Sequence, residues 1–147
     1  MISITQKTLQ DLEFNIILQT ISDRCNTEIG KQKALEITPF QDKEVLLQAL
    51  HQTSEYVSSF ANNNAIPNHG FENSSNDINF LAIEDSFLEV ASFRKLANLS
   101  ETVNVLLLFF KKFHEYYPKL NEKASQIEYT KIIVQRIDEV VDKYGVI

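Results

Sequence analysis

Apolar residues recur at Leu96, Leu99, Val103, Leu106, Phe110, Phe113 and Tyr117, spaced alternately three and four apart. That is an a/d seam held over three heptads, the pattern of a helix packed lengthwise on another helix. Neither Gly nor Pro occurs between Gly70 and Pro118, so nothing there forces a break. A helix begun near Leu88 and carried to Tyr117 would run roughly 43 Å at 1.5 Å per residue. Val105, Leu108 and Phe109 lie off the seam, so the middle turns ask for cover on more than one side. The chain is expected to be organised around this long central helix.

The remaining pattern is helical too. Thr8 to Leu12 suits a short opening turn, and Phe14, Ile17, Leu18 and Ile21 give an amphipathic helix reaching about Cys25. Asn26 or Thr27 can cap a second helix that stops where Thr38 precedes Pro39. Asp42 can cap a third, with Val45, Leu46, Ala49, Leu50, Tyr56, Val57 and Phe60 as its stripe. Ile66 to Asn76 is the one long loop, and Ile78 to Ile83 suits a short helix or a strand. Pro118 stands where a new helix would start. Ile127 to Val141 predicts a last helix with Ile133, Ile137, Val140 and Val141 inward. The fold class expected is all-α: an elongated bundle with one lever-type helix, residues 1–147 forming a single helical domain.

Composition narrows the function. The three glycines and three prolines are few for a turn-rich β architecture, and 44% apolar residues in 147 support a core. The net charge is −6, and from Glu44 to Phe93 seven acidic residues occur without one Lys or Arg. A phosphate backbone would be repelled there. The amino terminus lacks a basic-then-apolar signal, and the Val105–Phe110 run is too short to span a bilayer. With Cys25 alone no internal disulfide can form, and a cytoplasmic protein without membrane contact is expected.

Candidate chemistry is sparse. Cys25 ends an apolar stripe, where a packed thiol is the simplest reading. His114-Glu115 lacks the second histidine of a zinc helix, and His51 sits on an ordinary helix. His69, in the Asn-rich loop, is expected to be the most exposed histidine and has no metal partner at ligand spacing. Glu84-Asp85 reads as a dipole-matched pair at a helix start. Glycines at 30, 70 and 145 cannot build a phosphate-cradling loop. Catalytic, metal and cofactor residues are therefore expected to be none, leaving the seam as the feature of interest.

The opening block Leu12-Glu13-Phe14-Asn15-Ile16-Ile17 through Gly30, then Leu35-Glu36-Ile37-Thr38-Pro39 and Tyr56, resembles the amino terminus of the MutS family. The likeness is to its shorter bacterial paralogue, which lacks the mismatch-reading amino-terminal domains. Ile66-Pro67-Asn68-His69-Gly70 follows in the family's order, as does Leu88 leading into Phe93 and Leu96. Ile137-Asp138-Glu139 and Tyr144-Gly145-Val146-Ile147 match the start of its next stretch. The paralogue usually has a Gly pair before the long helix, where Glu84-Asp85-Ser86 stands here, and an aspartate after the loop glycine, where Asn73 stands.

The resemblance implies an amino-terminal helical core and first lever helix of a longer DNA-processing ATPase. It implies ATP and magnesium for that parent, DNA contacted through the parent only, and a homodimer of the parent. The isolated segment would then leave part of its seam exposed or cover it by self-association through its long helix, a substitute for a partner helix supplied by later sequence. The alternative is a stand-alone all-helical module that binds a partner helix through the seam.

Overall fold

The computed structural model describes residues 4–141, and these form eight helices and no strand. They group into two compact units, Met1–Asp42 and Lys43–Ile147.

The first unit holds α1 (Gln6–Asp11), α2 (Phe14–Ser22) and α3 (Glu28–Leu35). The opening turn is thus a full short helix, capped by Thr5, whose hydroxyl accepts from the Thr8 amide. Leu12 and Glu13 separate α1 from α2, with Glu13 in the left-handed conformation at φ 52°. The α2 stripe divides: Phe14 and Leu18 are half-buried against their neighbours, whereas Ile17 and Ile21 are exposed. Thr27 caps α3 by accepting from the Gly30 amide at 3.0 Å. A Cβ at Gly30 would meet that same Thr27 hydroxyl at 2.9 Å, so the glycine makes room for the cap. The buried Ser22 hydroxyl donates to the Lys31 carbonyl at 3.3 Å, tying α2 to α3 across the turn.

The second unit holds α4 (Lys43–Ser58), α5 (Ser75–Leu81), α6 (Val90–Lys112), α7 (Pro118–Ala124) and α8 (Ile132–Asp138). The loop before α5 is built from local side-chain bonds. Asn68 accepts from the Gly70 amide and Asn73 from the Ser75 amide, each at 3.0 Å. Residues 78–81 are helical, so the strand alternative falls. Glu84-Asp85 does not begin a helix. The pair lies in the turn after α5, with Asp85 at φ 60°, and α6 starts only at Val90.

The final helix is shorter than the pattern predicts. A continuous helix over Ile127–Val141 is replaced by non-helical residues 127–131 and then α8. The reason is local: Asn104 of α6 holds the Thr130 main chain from both sides. Its Nδ2 donates to the Thr130 carbonyl at 2.7 Å, and its Oδ1 accepts from the Thr130 amide at 3.3 Å. Those groups are then lost to a helical ladder. The inward set shifts accordingly: Val134, Ile137 and Val141 are covered, while Ile133 and Val140 are exposed. Tyr144-Gly145-Val146-Ile147 lies outside the described residues.

Candidate functional site

The long helix and what braces it are the feature the structure offers. α6 is unbroken over 23 residues, about 34 Å at 1.5 Å per residue. It contains Phe93 through Lys112, and Phe113 is the residue that closes it. The structure places Leu96, Leu99, Val103, Leu106 and Phe110 on α6, all half-buried. Phe113 is half-buried at the helix end, and Tyr117 lies beyond it as the residue preceding α7.

Tyr117 is the best-buried side chain of the unit, 0% exposed. Its ring lies 5.6 Å from Phe109 and 6.1 Å from Phe110, and Phe109 lies 4.9 Å from Phe113, a cluster with favourable offset and edge-on contacts. Its hydroxyl donates to the Asn64 carbonyl at 2.6 Å, so the polar tip is satisfied. The elbow from α6 into α7 is thereby anchored to the segment after α4.

A second anchor sits beside it. Pro118 opens α7 as expected and brings no N–H of its own. The amides of Lys119 and Leu120 donate to Oε1 and Oε2 of Glu55, both at 2.9 Å. Glu55 lies on α4, so one helix supplies the cap of another, and a carboxylate at that position matches the helix dipole.

The first two-thirds of α6 is braced by α8 and the segment just before it, which run antiparallel to it. Arg94 pairs with Asp138 at 2.7 Å, and Asn104 with Thr130 as described. At the head of the helix, Ser92 donates to Asp77 of α5 at 2.7 Å, and Lys95 pairs with Glu72 at 3.6 Å. Ala97, 3% exposed, marks the closest burial on this part. The helix keeps two large apolar side chains exposed, Val105 and Leu108.

The other candidates fall into structural roles. The Cys25 thiol is half-buried and donates to the Ile21 carbonyl at 3.4 Å. His69 is the least exposed of the three histidines, contrary to expectation. Its Nδ1 lies 3.0 Å from the Pro67 carbonyl oxygen and its Nε2 3.2 Å from the Tyr56 hydroxyl. A carbonyl can only accept, so Nδ1 carries a proton toward Pro67, and the Tyr56 hydroxyl lies within hydrogen-bond reach of Nε2. The loop's asparagine turns fold the ring back onto α4. His114 is exposed, with Nδ1 3.1 Å from the Lys111 carbonyl oxygen, and His51 is exposed on α4.

Among the described residues, no three His, Cys, Asp or Glu side chains are arranged to hold a metal ion. No helix among them is long and apolar enough to cross a membrane. Hydrogen bonding to Glu28, then its charge, raises Lys31 above its ordinary 10.5, and Glu122 does the same for Lys119. Both pairs are exposed and contribute little. Their contribution is complete below pH 10.5 and is lost as pH rises through the raised values.

Glu55 is the contributor that sequence reasoning missed. Its partners lie 64 and 65 positions away, and nothing in a helix-compatible Glu announces a distant helix end.

No family model matches the chain, and no solved structure does. Curated proteins do. The chain is 25% identical over 144 residues to the "Endonuclease MutS2" of Staphylococcus carnosus, covering 95% of this chain and 18% of that protein. The chain is similar to MutS2 endonucleases along most of its length. The "Endonuclease MutS2" of Alkaliphilus oremlandii is 25% identical over 135 residues, which are 90% of this chain and 17% of that protein. The Leuconostoc mesenteroides protein of the same name is 25% identical over 145 residues, 95% of this chain and 18% of its own. The chain thus spans less than a fifth of the length of these MutS2 relatives.

Proposed function

We propose that this chain is the amino-terminal helical core and lever segment of a MutS-like DNA repair or recombination-control ATPase. The similarity to MutS2 proteins over 95% of the chain carries this reading. The braced, unbroken α6 supports a mechanical role. A helix fixed to separate neighbours along its length moves as a rod, so a displacement at one end is delivered at the other. In this reading the segment performs no chemistry and couples nucleotide state to DNA binding. ATP and magnesium belong to the phosphate loop of the whole protein. Among the described residues there is no donor set for the ion, and no step is routed through either group. DNA is contacted through the whole protein, which works in the cytoplasm as a homodimer.

The gene beyond codon 147 gives the direct test. A phosphate-loop motif in frame downstream is expected. A stop codon overturns the reading and leaves the stand-alone helical interaction module. In the whole protein, Glu101→Pro would interrupt α6 at an exposed position. Basal ATP hydrolysis should persist while its response to DNA is lost, with Glu101→Ala behaving as wild type. Retained coupling in a folded Glu101→Pro protein would refute the lever role.

A further inference from the structure

Between α5 and the head of α6 the second unit turns large apolar side chains outward. Phe87 is 82% exposed, Ile83 57% and Phe80 47%, and the three line one groove of about 570 Å³. An exposed apolar patch framed by polar residues is characteristic of a contact surface. The frame here has one sign. Asp77, Glu84, Asp85 and Glu89 line the same groove, and no Lys or Arg does. Asp77 is engaged by the Ser92 hydroxyl. Among the described residues, Glu84, Asp85 and Glu89 take part in no ion pair or side-chain hydrogen bond. The two cations near the head of α6, Arg94 and Lys95, are already directed to Asp138 and Glu72. The carboxylates do not converge as metal ligands would. They are spread around an apolar floor.

We propose that this groove docks an amphipathic helix of a partner protein, apolar on the face it presents and carrying Lys or Arg along its flanks. The floor of Phe80, Ile83 and Phe87 takes the apolar face, with Phe87 as the anchor whose desolvation drives binding. The rim carboxylates receive the flanking cations, fixing orientation and accelerating encounter. The same rim disfavours nucleic-acid phosphate and anionic lipid headgroups. Charge complementarity therefore selects a basic protein segment.

The full 147-residue chain can be titrated, by fluorescence anisotropy, with a short leucine–lysine peptide patterned as an amphipathic helix. A scrambled peptide of the same composition and a leucine–glutamate version serve as comparisons. The patterned basic peptide alone should bind. Phe87→Ala should weaken it at least about tenfold. Glu84→Gln with Glu89→Gln should weaken it too, as should salt at about 1 M, where the Debye length falls to about 3 Å. Phe87 is exposed, so its substitution leaves the fold intact, which circular dichroism verifies. Equal binding of the scrambled peptide, indifference to Phe87→Ala, or no binding by any peptide overturns the proposal. A dimer in sedimentation that Phe87→Ala dissolves also overturns it, because a second copy would then be the occupant.

Discussion

At the scale of single residues, two non-glycine positions among the described residues hold left-handed backbone, Glu13 at φ 52° and Asp85 at φ 60°. Asp tolerates that region better than most side chains, and Gly enters it without steric cost. Asp85 stands in the turn between α5 and α6, where the chain leads into the long helix. Asp85→Gly should therefore stabilise the chain by about 0.5 kcal/mol, the relief of left-handed strain outweighing the added chain entropy. Asp85→Val should destabilise it, since a β-branched residue fits that conformation worst. Urea unfolding of the three proteins gives the order, and a glycine variant no more stable than wild type contradicts the argument.

At the scale of elements, α7 depends on α4 for its start. Glu55→Ala leaves the Lys119 and Leu120 amides without their acceptor and should cost about 1–2 kcal/mol, in the range of a lost helix cap. Glu55→Gln keeps one acceptor oxygen and should lose about half as much. Thermal unfolding of both variants checks this. Equal stability of Glu55→Ala and wild type would mean that water serves α7 as well. The elements differ in how much of this the sequence discloses. α6 is legible because seam, helix-compatible residues and the absence of Gly and Pro all agree. Its end is less so. The three-four spacing continues to Tyr117 although the helix closes at Phe113, because the elbow carries Tyr117 back onto the same aromatic face. α8 is misread in length because an apolar periodicity does not register Asn104 taking the Thr130 main chain. His69 is misplaced for a similar reason: an Asn-rich loop reads as solvated, and the ring's two acceptor-donor contacts come from its folded path.

At the scale of the molecule, charge sets a limit on what the segment does alone. The stretch from Glu44 to Phe93 carries seven acidic residues and no Lys or Arg, and it contributes all but the first residue of α4, all of α5 and the head of α6. The isolated chain should not bind plain duplex DNA at submicromolar concentration in about 150 mM salt, nor hydrolyse ATP. Gel shift and phosphate release check both, and tight duplex binding would show that the basic residues elsewhere dominate. The buried elbow has one more consequence. The chain has no tryptophan and five tyrosines, and of the tyrosines described only Tyr117 is sealed from water with its hydroxyl committed. Its ring emission and near-ultraviolet dichroism are thus an intrinsic optical gauge of the joint between α6 and α7, readable without a label: when the Asn64 contact opens, the signal of that one chromophore changes first.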